Sequence, residues 1–238
     1  MRTFLALAPL LSVPLFVDPS PSAQAPDWPF AAPNAGLSIP ASNQSDSSGW
    51  NMDRLLLEYG ELTGTSFVWT AETRSILAGT PVPVEQAVEV PAANVHKIVE
   101  TLVFQTGFVL SLANEYEPLL VTVHSIHSGR RNAQPFIVDR DDLDRWNDHP
   151  AHLIQTVLTL NHTDVRTLTN SMRAMLTDAN IQSIIPVGNT HSMILTGPAA
   201  SVTRLAGLLH QINDEARAFW EMQSNEQVDE ATSTEEER

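Results

Sequence analysis

Two histidine pairs, His124 with His127 and His149 with His152, stand three residues apart, a spacing at which two imidazoles can share one metal ion. Neither pair has a third ligand close by in the sequence, and histidines near loops are usually solvated surface groups, so no metal site is assigned. Asp139, Asp141, Asp142, Asp144 and Asp148 form an acidic run with the look of a calcium loop. A calcium loop needs glycine at its sixth position and glutamate at its twelfth, where this chain has Asp144 and Pro150. The calcium assignment therefore fails. There is also no Gly-x-Ser-x-Gly elbow, no phosphate-cradling glycine loop and no His-Glu-x-x-His pair. Catalytic, cofactor-binding and metal-binding residues are expected to be none, and an enzyme is not expected. The triplets Asn43-Gln44-Ser45 and Asn161-His162-Thr163 are formal glycosylation sequons, the second reading better as a helix entry.

The composition narrows the partners. The 238 residues carry a formal net charge of -15 and a single lysine, Lys97, and the nearest approach to a basic cluster is Arg130-Arg131. Nucleic-acid binding needs clustered cations that release counterions from phosphates, so nucleic acid is not expected as a partner. With no cysteine there is no disulfide framework, thiol nucleophile or lipid-modified cysteine. Hydrophobic residues make up 42% of the chain, enough for two modest cores.

The first 25 residues read as a secretory signal: Arg2, an apolar run from Phe4 to Val17, then Ala23-Gln24-Ala25. The run is broken by Pro9 and Pro14 and falls short of the roughly 20 apolar residues that span a bilayer, so export is favoured over an uncleaved anchor. Pro26, just past the expected cut, is awkward for a peptidase. Pro26 to Gly49, rich in Pro, Ala, Ser and Asn, is expected to be a disordered tether. Residues 221–238, including Glu235-Glu236-Glu237, are expected to be a solvated acidic tail, with an acidic docking peptide as the alternative. Ser125 to Ala151 reads as a charged linker in which Phe136-Ile137-Val138 adds an edge strand.

Two folded units remain, so the fold class is α+β with two small domains. In the first, residues 50–124, Met52, Leu55, Tyr59 and Leu62 mark a helix that Asn51 or Asp53 can cap. Thr63-Gly64 ends it, and Ser66 to Thr70 is a β-rich run. The phrase then recurs: Val95, Ile98, Val99, Leu102 and Val103 form one helical stripe, Thr106-Gly107 closes it, and Phe108 to Leu112 is a strand. Leu119 to His124 returns across the loop Ala113 to Pro118, and Gln86 to Val90 supplies a strand ahead of the second helix. In the second unit, residues 152–220, Leu153 to Leu160 is a strand and Thr163 or Asp164 caps a helix with the stripe Val165, Leu168, Met172, Met175 and Leu176. Ile181 to Val187 turns at Gly188-Asn189 into Ser192 to Thr196. Gly197-Pro198 opens a last helix with the stripe Val202, Leu205, Ala206, Leu209 and Ile212. The order is βαββα.

The repeated helix, Thr-Gly, strand phrase, carried by Leu62-Thr63-Gly64 with Phe67 and Gln105-Thr106-Gly107 with Phe108, resembles the short N-terminal domain shared by secretins and TonB-dependent signalling receptors. The second unit resembles the NolW-like ring-building domain of secretins. Its matching segments are Leu160 to Asp164, Asn189 to Gly197, and Leu208 to Asn213, with Asn213 where the family usually has an acid. That fold is also similar to the KH nucleic-acid module, but no Gly-x-x-Gly loop lies between these helices.

What the resemblance implies is a periplasmic accessory, or split N-terminal component, of a type II secretion or type IV pilus-like export system. It would act by protein-protein contact, side by side in a homo-oligomeric ring. Its partners would be a separate secretin pore subunit, an inner-membrane secretion component, or both, and it could reach the outer membrane through such a partner. The sequence printed after the second unit is too short for a pore domain, so conduction is not expected, nor is a cofactor or a small-molecule substrate. The alternative is a stand-alone envelope scaffold or sensor that binds a membrane-protein partner. Trp69 is expected in the core, whereas Trp146 and Trp220 are open between a contact surface and folding back onto the parent domain. Leu119, Leu120, Val121, Thr122 and Val123, apolar on both faces and following a loop, form the candidate partner-contact strand. They are expected near a sheet edge, where strand addition is available.

Overall fold

In the computed structural model, residues 29–41, 50–114, 119–128, 133–176 and 178–236 are described, with side chains described to Ser224. The expected signal peptide, Arg130-Arg131 and the first sequon lie outside these residues.

Local rules account for the helix limits in the first unit. Helix α1 spans Met52–Thr63; the Asn51 side chain accepts from the Arg54 amide, and Gly64 stops the helix at φ 69. Its stripe of Met52, Leu55, Leu56 and Tyr59 is buried. Helix α3, Val95–Gln105, buries Val95, Val99, Leu102 and Val103, and Gly107 follows it at φ 85. Strands β2 (Ser66–Val68), β5 (Leu120–Ser125) and β4 (Phe108–Asn114) form a sheet in that spatial order, β2 parallel and β4 antiparallel to β5. The sequence expectation misses helix α2, Ala71–Gly79, whose Thr70 side chain caps it and whose buried contribution is only Thr73 and Leu77. So sparse a stripe gives little periodic signal.

The second unit has the expected order: β7 (Leu153–Thr159), α4 (Val165–Arg173), β8 (Ser183–Pro186), β9 (Ser192–Pro198) and α5 (Ala199–Glu236). Its sheet runs β6-β7-β9-β8, with β6 (Phe136–Ile137) parallel to β7 at one edge. Val202, Ala206 and Leu209 of α5 and Val165 and Met172 of α4 are buried, together with Ile154, Leu158, Met193, Leu195 and Ile184 of the sheet. Full burial of one such Leu is worth about 1.5–3 kcal/mol.

Four expectations are corrected. Residues 29–41 are not a free tether: Leu37–Ile39 form strand β1, antiparallel to β3 (Val88–Val90), with Leu37 and Ile39 buried. Residues 133–151 are not a solvent linker, because Phe136, Val138, Leu143 and Trp146 all join the core. The acidic run is a 3-10 segment, Arg140–Asp148, that turns Leu143 and Trp146 inward. The acidic tail continues as helix α5 to Glu236.

The candidate contact strand is the fourth correction. Residues 120–123 lie in the middle of their sheet, between β2 and β4, with Val121 and Val123 buried. Backbone groups on both sides of β5 are already paired, so strand addition is closed to it. The other side of β4 is stitched toward the second unit by Leu110 N–H to Ala151 C=O (2.9 Å) and Leu112 N–H to Gln134 C=O (3.0 Å). Both strands are interior because the two units share one continuous core.

Candidate functional site

Two features stand out: an uncovered sheet face and a buried carboxylate cluster. Strand alternation builds the first. On β7, Ile154, Thr156 and Leu158 turn inward, so Gln155, Val157 and Thr159 face outward. The ladder aligns Val157 with Ile194 and Ile194 with Ile185, making one apolar row across three strands. The next row is Ile137, Gln155, Thr196 and Ser183. Both helices lie on the opposite face, so Ile137 is left 85% exposed, Val157 53% and Ile185 52%. Past its buried stripe, α5 carries a second exposed apolar group, Phe219, Trp220 and Met222. Trp220 borders a surface groove with Asn161, His162, Asp164 and His191.

The buried cluster sits where α1, α3, the N-terminal segment and the residues leading into β7 meet. Glu100 is fully buried. Its Oε1 accepts from Tyr59 O–H (2.7 Å) and His149 Nδ1–H (2.8 Å), and its Oε2 accepts from His152 Nδ1–H (2.8 Å). The protons are assigned to Nδ1 because a carboxylate only accepts. His96, one turn before Glu100, places Nδ1 2.6 Å from the Tyr59 oxygen and donates from Nε2 to the Ala31 carbonyl at 3.0 Å. Phe30 stacks on His149 at 4.3 Å, and Phe136 and Trp146 close the aromatic shell.

Burial pushes the Glu100 pKa up, but the electrostatic pull of His152 and His149, delivered through their Nδ1–H bonds, outweighs it and holds the carboxyl well below its usual range. Burial drives His152 down against the opposing pull of Glu100, and drives His96 down with His149 adding to the effect. The Tyr59 hydroxyl is raised by burial and by the Glu100 charge beside it. His152 Nε2 is buried without a partner, so that ring is the neutral Nδ1–H form.

The sequence-selected histidines divide. His149 and His152 do meet, on Glu100, while His124 pairs its Nε2 with the Ser111 hydroxyl (2.7 Å) and His127 lies against Gly107. His96 and Glu100 escaped the sequence reading; their one signal was the i, i+4 spacing on the α3 stripe. Trp146 is core, Trp69 is half-buried beneath Arg74 (5.5 Å), and Trp220 is exposed.

No family model and no curated protein matches this sequence. Among solved structures, the Klebsiella pneumoniae type II secretion outer membrane complex of PulD, PulS and the PulC HR domain is similar at TM-score 0.47 and 11% identity. That match covers 69% of this chain and 26% of the other, so this chain spans about a quarter of its length. The GspC-GspD complex of enterotoxigenic Escherichia coli is similar at TM-score 0.24 and 12% identity, covering 76% of this chain and 99% of that one. The N-terminal domain of the secretin XcpQ from Pseudomonas aeruginosa is similar at TM-score 0.24 and 12% identity, covering 75% and 66%. Among the described residues no helix is long and apolar enough to cross a membrane.

Proposed function

We propose that this chain is a periplasmic scaffold component of a secretin-type export machine, of the type II secretion or type IV pilus kind, working by protein-protein contact and not by catalysis. The observation that carries the reading is the uncovered row Ile185, Ile194 and Val157 on a βαββα unit whose helices lie on the opposite face. A sheet face that leaves Ile and Val in water is a contact surface awaiting a partner. The exposed Phe219, Trp220 and Met222 are carried by helix α5, whose buried stripe of Val202, Ala206 and Leu209 packs on the opposite side of the sheet. Sheet face against the helix of a second copy is therefore a heterologous contact, the kind that closes into a ring. The Thr-Gly phrases and the ring-building segments of the sequence support the same reading, with a secretin pore subunit or an inner-membrane secretion component as the further partner.

The test is sedimentation velocity of the chain over a concentration series, together with co-purification from its own envelope. Expected are self-association and capture of a secretin pore or inner-membrane secretion component. Val157→Asp with Ile185→Asp should lose self-association while keeping the wild-type unfolding midpoint. A wild-type chain that stays monomeric and captures no secretion component would overturn the proposal, and a monomer holding one unrelated envelope protein would point to a stand-alone scaffold.

A further inference from the structure

The hydroxyl of Tyr59 has one proton and two claimants. His96 Nε2 faces a carbonyl, which only accepts, so in the neutral ring the hydrogen sits on Nε2 and Nδ1 is a lone pair aimed at the Tyr59 oxygen (2.6 Å). Glu100 Oε1, also only an acceptor, lies 2.7 Å from the same oxygen. Two acceptors thus converge on one hydrogen, between the buried Glu100 and the half-buried His96. Positive charge between them would satisfy both.

We propose that this cluster binds one divalent transition ion of borderline softness, with zinc as the type case, held by His96 Nδ1, Glu100 Oε1 and His149 Nδ1 and with the Tyr59 oxygen beside them.

The donor set fits. The ligand atoms of His96, Glu100 and His149 all lie within 4.8 Å of one another. Two imidazole nitrogens and a carboxylate oxygen suit zinc, whereas magnesium and calcium require an all-oxygen shell. The outer hydrogen bonds are those that orient metal ligands. Ala31 C=O takes the Nε2 hydrogen of His96 and fixes Nδ1 as the coordinating atom, while His152 Nδ1–H holds Glu100 Oε2 and leaves Oε1 for the ion. Tetrahedral ligands about 2.0–2.1 Å from zinc stand roughly 3.3 Å apart, so the 2.8 Å pair of His149 and Glu100 must open by about half an ångström. His149 must also move its hydrogen from Nδ1 to Nε2 to coordinate. Because His96 and Glu100 belong to the first unit and His149 to the segment entering the second, the ion would staple the two together. This inference is independent of the export proposal.

The experiment uses the chain freed of metal with a chelator and then titrated with zinc chloride by calorimetry and with cobalt chloride by visible absorption. Expected are one zinc per chain, the strong visible bands of four-coordinate cobalt, and a rise in unfolding temperature of about 5 °C or more at a hundredfold excess over Kd. His96→Ala and His96→Gln should each weaken zinc at least tenfold while retaining the wild-type circular dichroism, and His162→Ala, on an exposed residue, should bind as wild type. The proposal is overturned if the wild type takes up less than half an equivalent, if cobalt shows only weak six-coordinate bands, or if a folded His96 variant binds as tightly as wild type. The wild-type cobalt spectrum decides alone if neither His96 variant folds.

Discussion

Glu100→Gln in metal-free protein is the sharpest perturbation of the fold, because it keeps the volume and changes only charge and donors. Glu100 is fully buried and accepts from Tyr59, His149 and His152 at 2.7–2.8 Å. The amide keeps one acceptor and turns a donor toward an N–H or O–H that has nowhere else to go. His152 cannot escape by moving its hydrogen to Nε2, since that atom is buried with no partner. Hydrogen bonds to a charged group contribute about 1.5–3 kcal/mol each, and breaking a buried ionic contact from one side costs about 3–5 kcal/mol. We expect a loss of about 3–5 kcal/mol, a large share of the roughly 5–15 kcal/mol that holds a domain folded. The assay is urea unfolding in chelator, followed by fluorescence with Trp146 in the shell around the cluster. Glu58→Gln is the control: its pair with Arg54 at 3.1 Å is solvent-exposed, and removing it should change stability by about 0.5 kcal/mol or less. A Glu100→Gln loss below about 1 kcal/mol at unchanged m-value would refute the stabilising role of this buried carboxylate.

Acid should destabilise the metal-free chain. His152 and His96 have folded pKa values below their ordinary one, so their effect is absent above about pH 6.5 and the unfolded chain takes up their protons first as pH falls. Glu100, depressed as well, removes further stability below about pH 4.3. The urea midpoint should fall from pH 7 to 5 and again below 4.5, and a midpoint that rises on acidification contradicts this sign. Gly107→Ala should cost about 1 kcal/mol or more in thermal unfolding, because φ 85 strains any Cβ and that Cβ would meet His127 Nε2 at 3.3 Å. Trp220→Ser should leave the unfolding free energy within about 0.5 kcal/mol of wild type while weakening self-association in sedimentation, since Trp220 is exposed.

What the sequence by itself determined was local. Helices α1 and α3 end where Thr63-Gly64 and Thr106-Gly107 stand, because a left-handed stop is a property of one residue and its neighbours. The βαββα order of the second unit was legible because the inward side chains of β7 and β9 keep a period of two and the stripe of α5 a helical one. Tertiary structure decided the rest. An apolar run such as Leu119 to Val123 reads alike at an edge and in a centre; β5 became central because the chain crosses over through α2, β3, α3 and β4 before pairing with β2. The Pro- and Ala-rich residues 29–41 carry no period of their own, and they gained order from Val90 and His96, more than fifty positions away. The third group that the histidine pair lacked was Glu100, 49 residues from His149 and 52 from His152. A buried carboxylate is held by whichever donors the packed core brings to it, and no spacing along the chain records that meeting.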